Sequence, residues 1–147
     1  MVSTEELKRE AWEVNDLLSE YVALHNHLLK SAGTFSSLFR KIDFGKLSEE
    51  TSSLLEKFRN KGDELKVLAE GEVRDEGRQF TECLLSYTNA LTETVGLLYV
   101  MYQALKGKAS GNKLSFKEHL ENNKKYQESI KEYVRQGEQL NNLFRSL

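Results

Sequence analysis

The chain is 147 residues long, 39% hydrophobic and 30% charged, with no proline, one cysteine and a formal net charge of −2. That length suits one domain with its own core, burying roughly 70% of the unfolded surface. The near-neutral balance removes any whole-chain electrostatic case for nucleic acid or an anionic membrane, and Cys83 alone excludes an intrachain disulfide or a multi-cysteine metal site.

Ser3 and Glu6 have the spacing of a capping box, and Val2 stands where a hydrophobic staple would reach Leu7. These residues predict a helix start rather than a signal peptide. Over about 4–31, Leu7, Ala11, Val14, Leu18, Tyr21, His25 and Leu28 recur at alternating spacings of four and three, which is a heptad seam ending at Gly33. His25-Asn26-His27 invites a metal or nuclease reading. On a helix, however, residues two apart point about 200° from each other. His25 therefore belongs to the seam, His27 to the surface, and the pair cannot share one metal.

The stretch 34–44, TFSSLFRKIDF, sets Phe35, Leu38, Phe39 and Ile42 at helical spacing. It predicts a short helix over about 35–42 that packs on the bundle. Arg40 and Lys41 beside that apolar face also permit a membrane-surface reading.

A looser seam over about 47–70 runs through Leu47, Thr51, Leu54, Phe58, Leu65 and Leu68, with Ser48 as the expected N-cap. Gly71 and Gly77 bracket a weakly apolar run that predicts a turn. One uninterrupted helix from 48 to 106 is the competing reading, since no proline forces a break. Over about 78–106 the seam is Phe80, Leu84, Tyr87, Leu91, Thr94, Leu98, Met101 and Leu105. After the loop-like KGKASGN at 106–112, Ser115 and Glu118 open a last helix over about 115–146. Its seam is Phe116, His119, Asn123, Tyr126, Ile130, Tyr133, Gly137, Leu140, Phe144 and Leu147. The pattern predicts an all-α single domain over 1–147: an antiparallel up-down four-helix bundle with long helices and a short extra helix in the first connection.

No arrangement of residues names a catalytic chemistry. Glu-x-x-His pairs of di-iron bundles are missing, because Val22, Leu24 and Phe116 stand three positions before the histidines. No Gly-Lys-Ser/Thr phosphate loop occurs, and 71–77 lacks the ligand order of a calcium loop. The expectation is a protein without catalytic residues, metal or cofactor. Mixed charges on the last helix suit a solvated face rather than a nucleic-acid footprint. No run is long and apolar enough for a transmembrane segment, and the lone cysteine fits a reducing, cytoplasmic setting.

Residues 83–105 carry a single charge, Glu93. Opposite that helix's seam lie Leu85, Asn89, Thr92, Gly96, Tyr99, Val100 and Gln103, where lysine and glutamate would be usual. Such a face should be covered, either by the chain's own 34–44 segment or by a second chain; the expected function is a protein-interaction or scaffold module that uses this face, with a second copy or a different protein as partner. The alternative is a small-ligand pocket between the third and fourth helices lined by Tyr87, Thr94, His119, Asn123, Tyr126 and Tyr133. A membrane-surface module acting through 34–44 is the third reading.

Overall fold

A computed structural model describes residues 2–32, 42–71, 75–109, 111 and 116–147. Among the described residues the structure is helical, with no strand: α1 spans Thr4–Ala32, α2 Phe44–Gly71, α3 Asp75–Ala109 and α4 Phe116–Ser146. At about 1.5 Å per residue these helices are roughly 42–53 Å long. The short helix expected over 35–42 lies outside the described residues, apart from Ile42, which packs against the core.

The first helix starts as its capping box dictates. The Glu6 amide donates to Ser3 Oγ at 3.2 Å, and the Ser3 amide donates to Glu6 Oε2 at 3.1 Å. The second helix begins earlier than its seam suggested. Asp43, not Ser48, is its cap, accepting from the Lys46 amide at 3.0 Å so that an otherwise unpaired first-turn donor is satisfied. Ser48 is buried inside the helix instead. The third helix likewise begins at Asp75 rather than 78, with Asp75 and Glu76 placing negative charge on its positive N-terminal end. At its other end Gly111 takes φ +96°, a conformation that side chains disfavour, and its amide donates back to the Lys108 carbonyl at 3.1 Å.

Cross-helix pairs define how the elements lie. Gln103 reaches Ser48, while a Cβ built at Gly62 would meet Asn89 and one at Gly96 would meet Leu55. The helices α2 and α3 thus fold back on each other, which removes the reading of one continuous helix from 48 to 106. Phe80 meets Phe144 and Tyr87 meets Tyr133 in tilted ring contacts, and Thr94 shares a hydrogen bond with Ser129. These pairs likewise run in opposite order along α3 and α4. Lys61 bonds Glu10 and Glu13 while Lys57 bonds Glu20, so α1 pairs with α2 in the same reversed sense.

α3 is the central element, packed closely along both α2 and α4. Its seam residues are all buried, and Thr81, Thr88, Val95 and Tyr102 add a second buried row. The buried threonines are tolerable because each satisfies itself. Thr81 donates to the Gly77 carbonyl and Thr88 to that of Leu84, both at 2.7 Å. Each fully buried large side chain, such as Phe58, Leu84 or Leu98, stabilises the fold by about 1.5–3 kcal/mol. α1 approaches α2 and α3 less closely, and its backbone barely approaches α4 at all. Among the described residues no helix is long and apolar enough to cross a membrane.

Candidate functional site

The gap between α1 and α4 is bridged by side chains. Tyr126 on α4 is fully buried, and its hydroxyl lies 2.6 Å from the Tyr21 hydroxyl and 2.6 Å from His25 Nδ1, both on α1. Tyr21 also meets Tyr133 edge-on, with ring centroids 5.9 Å apart. Further toward the α1 N-terminus, Trp12 meets Phe144 edge-on at 6.3 Å, and Lys8 Nζ sits 5.9 Å above the same ring. Burial pushes the Tyr21 and Tyr126 phenols far above their ordinary range and that of Tyr87 up to about 12, while burial pulls His25 down.

Between these bridges the surface opens into a groove of about 240 Å³. Ala11, Trp12, Asn15 and Leu18 form one wall, Gly137, Leu140, Asn141 and Phe144 the other, and the Tyr87 ring lies at the base. Gly137 makes room for that ring: a Cβ there would stand 3.2 Å from Tyr87 Cε2. Trp12, the chain's single tryptophan, is 60% exposed at the rim.

The groove is one end of a longer uncharged strip. By helical position, the α1 flank on the α4 side from Ala11 to Asn26 carries Trp12, Asn15, Ser19, Val22 and Asn26, all exposed and uncharged. The acids of this stretch lie elsewhere: Glu13 and Glu20 bind α2 lysines, and Asp16 points to the outer side of α1 by its helical position. By helical position, the corresponding row on α4 is Asn123, Gln127, Ile130, Val134 and Asn141, again uncharged and mostly exposed, with the exposed Glu138 at its edge. In a chain that is 30% charged, an exposed two-helix surface without charge is unusual.

The residues expected to form an outer face on α3 are placed differently. Leu85, Thr92, Gly96 and Tyr99 are half-buried, while Asn89, Val100 and Gln103 are exposed. The row borders α2: Gly96 stands by Leu55, and Gln103 Nε2 donates to Ser48 Oγ at 2.7 Å and to the Tyr99 hydroxyl at 2.9 Å. Its cover is in large part the neighbouring helix of the same chain.

The expected pocket residues are divided. Tyr87, Thr94 and Tyr126 are buried, His119 and Tyr133 half-buried, and Asn123 exposed. Thr94 hydrogen-bonds Ser129 and Tyr126 bonds α1, so these polar tips satisfy one another. Tyr87 alone of the six lines the open groove.

Three groups with chemical potential are occupied or inert. Lys61 on α2 is 9% exposed and donates to Glu10 at 2.8 Å, Glu13 at 2.5 Å and Glu64 at 2.8 Å. Burial alone would lower its ammonium, but the bonds to Glu10, Glu13 and Glu64 more than reverse that and hold it charged. Those three carboxylates lie within 4.8 Å of one another, close enough to share a metal ion, but the Lys61 ammonium already fills the cation's place among them. Burial pushes the Cys83 thiol up, away from the thiolate. His25 commits Nδ1 to Tyr126.

Trp12, Val22, Val134 and Lys61 were not anticipated from the sequence. The first three had a signal. Trp12 falls on the α1 wheel opposite Tyr21, so the seam cannot bury it. Compared with protein-family models, curated proteins and solved structures, the chain shows no match.

Proposed function

We propose that this chain is a non-catalytic protein-interaction module, a single helical-bundle domain over 1–147 with antiparallel up-down connectivity, working in the cytoplasm. The observation that carries the reading is the exposed, uncharged strip across α1 and α4, with Trp12 60% exposed at one end. Interface cores are depleted in charge and enriched in aromatic residues, and tryptophan is prominent among the residues whose truncation costs most. The reversed pairings between consecutive helices support the connectivity. The groove, at about 240 Å³, falls below the roughly 300–1,000 Å³ of ordinary ligand pockets. It suits one inserted side chain better than a whole metabolite. The hydrogen-bonded states of Lys61 and His25 and the thiol state that burial favours at Cys83 support a non-catalytic reading.

The test is capture from a lysate with the wild-type chain, Trp12→Glu and Val67→Glu, compared by quantitative mass spectrometry. Val67 is 71% exposed on α2 and serves as the control. Proteins lost with Trp12→Glu and kept with Val67→Glu mark the strip as the interaction surface. Identical captures from all three, with both variants folded by circular dichroism, overturn the reading.

A further inference from the structure

The strip's dimensions and the charges beside it narrow the partner, on the reading that it is an interaction surface. From Trp12 to Asn26 the strip is about 21 Å long at about 1.5 Å per residue, and it is two helices wide, on the order of 20 Å. The area, on the order of 400 Å², is about half of what each side of a standard stable protein complex buries. It is too small for two bundles docked face to face. It matches one helix, with a diameter of about 10–12 Å, laid over the shallow channel between α1 and α4, whose floor is closed by Tyr21, His25 and Tyr126.

The flank of α4 beside this channel carries a basic row, with the exposed Glu121 and Glu128 on its far side. Lys117, Lys124 and Lys131 follow one another at seven-residue spacing, all are exposed, and none forms an ion pair among the described residues. Glu138 is the one acidic member of the row, and Arg145 comes next. Seven-residue spacing is the period at which a packed partner helix presents its own flanking side chains. A lipid surface fits less well. The strip includes Asn15, Asn26 and Gln127, whose amides would lose hydrogen bonds in hydrocarbon but find partners on another helix.

We propose that the α1–α4 channel docks an amphipathic helix of another protein. Its contact face is apolar and uncharged, one bulky side chain enters the groove at Trp12, and an acidic flank lies over Lys117, Lys124 and Lys131. This is recognition of a helix in a groove.

The single tryptophan makes the test direct, because all indole emission comes from Trp12. The full chain is titrated with two synthetic amphipathic helices of about 18 residues, identical except that the flank carries glutamates in one and lysines in the other. The glutamate peptide should shift Trp12 emission to the blue and bind roughly tenfold more tightly than its twin, as three exposed charge pairs change from attraction to repulsion. The preference should collapse at about 1 M salt, where screening acts within about 3 Å. It should reverse in the triple variant Lys117→Glu, Lys124→Glu, Lys131→Glu, whose fold is checked by circular dichroism. Equal binding of both peptides, or of neither, overturns the helix proposal without touching the strip's role in capture. A blue shift of the free protein with a doubled molar mass makes a second copy the occupant. A blue shift with anionic vesicles and none with peptide makes it a membrane. Either result overturns the proposal.

Discussion

The Tyr126 hydroxyl stands 2.6 Å from His25 Nδ1, joining α4 to α1 across a gap that the two backbones do not close. Burial lowers the histidine below its ordinary value, so the folded state prefers the neutral ring. The unfolded chain then binds more protons as pH falls from the ordinary histidine value toward the lowered one. Stability is present above about pH 6.5 and is lost across that interval. Thermal melts from pH 7.5 to 4.5 should show a decline in the wild type that is smaller in His25→Gln. Equal slopes would show that His25 does not carry the effect.

Tyr126→Phe should cost about 1–3 kcal/mol, because it leaves the buried Tyr21 hydroxyl and the half-buried His25 Nδ1 without their shared partner. Chemical denaturation measures it. Tyr133→Phe should cost less, since Tyr133 is only half-buried.

Lys61→Ala should cost about 2–3 kcal/mol, below the about 3–5 kcal/mol of a fully buried pair because Glu13 and Glu64 are partly solvated. The ammonium is held above its ordinary value, so its contribution is fully present below that value and is lost only as pH rises through the raised one. The wild-type minus variant difference should therefore stay flat between pH 6 and 9. A urea series over that range checks both the size and the flatness.

Gly137→Ala sets two effects against each other. Alanine gains about 1 kcal/mol of helix propensity over glycine, but its Cβ would press on the Tyr87 ring at 3.2 Å. In the wild-type background the substitution should be neutral or destabilising by up to about 1 kcal/mol, and in a Tyr87→Ala background it should stabilise by about 1 kcal/mol. A double-mutant cycle that showed no coupling would mean that the ring moves aside freely.

Tyr99→Glu should lower the melting temperature without changing molar mass. Tyr99 is half-buried beside α2 and accepts from Gln103, so the variant loses packing within the chain. A cost of about 1 kcal/mol is expected for a partly buried site. Light scattering beside a thermal melt checks it, and dissociation of an oligomer would return the α3 face to the role of an interface.

Heptad spacing, capping residues and the missing prolines determined the helices, and the α3 seam from Phe80 to Leu105 is buried throughout. The local chemistry of Ser3 and Glu6 was equally legible, because a capping box involves only neighbours in the chain. Which helix lies beside which was not. A helical wheel shows that the Leu85–Gln103 flank of α3 avoids charge, but it cannot say whether α2 or another molecule stands there, since that depends on how connected helices turn back in space. The burial of Lys61 was hidden for the same reason: three carboxylates from two helices must converge before a buried ammonium becomes tolerable. The uncharged rows of α1 and α4 were each visible in the sequence. Only the tertiary structure sets them side by side, with a groove between them, because aromatic side chains rather than close backbone packing hold those two helices together.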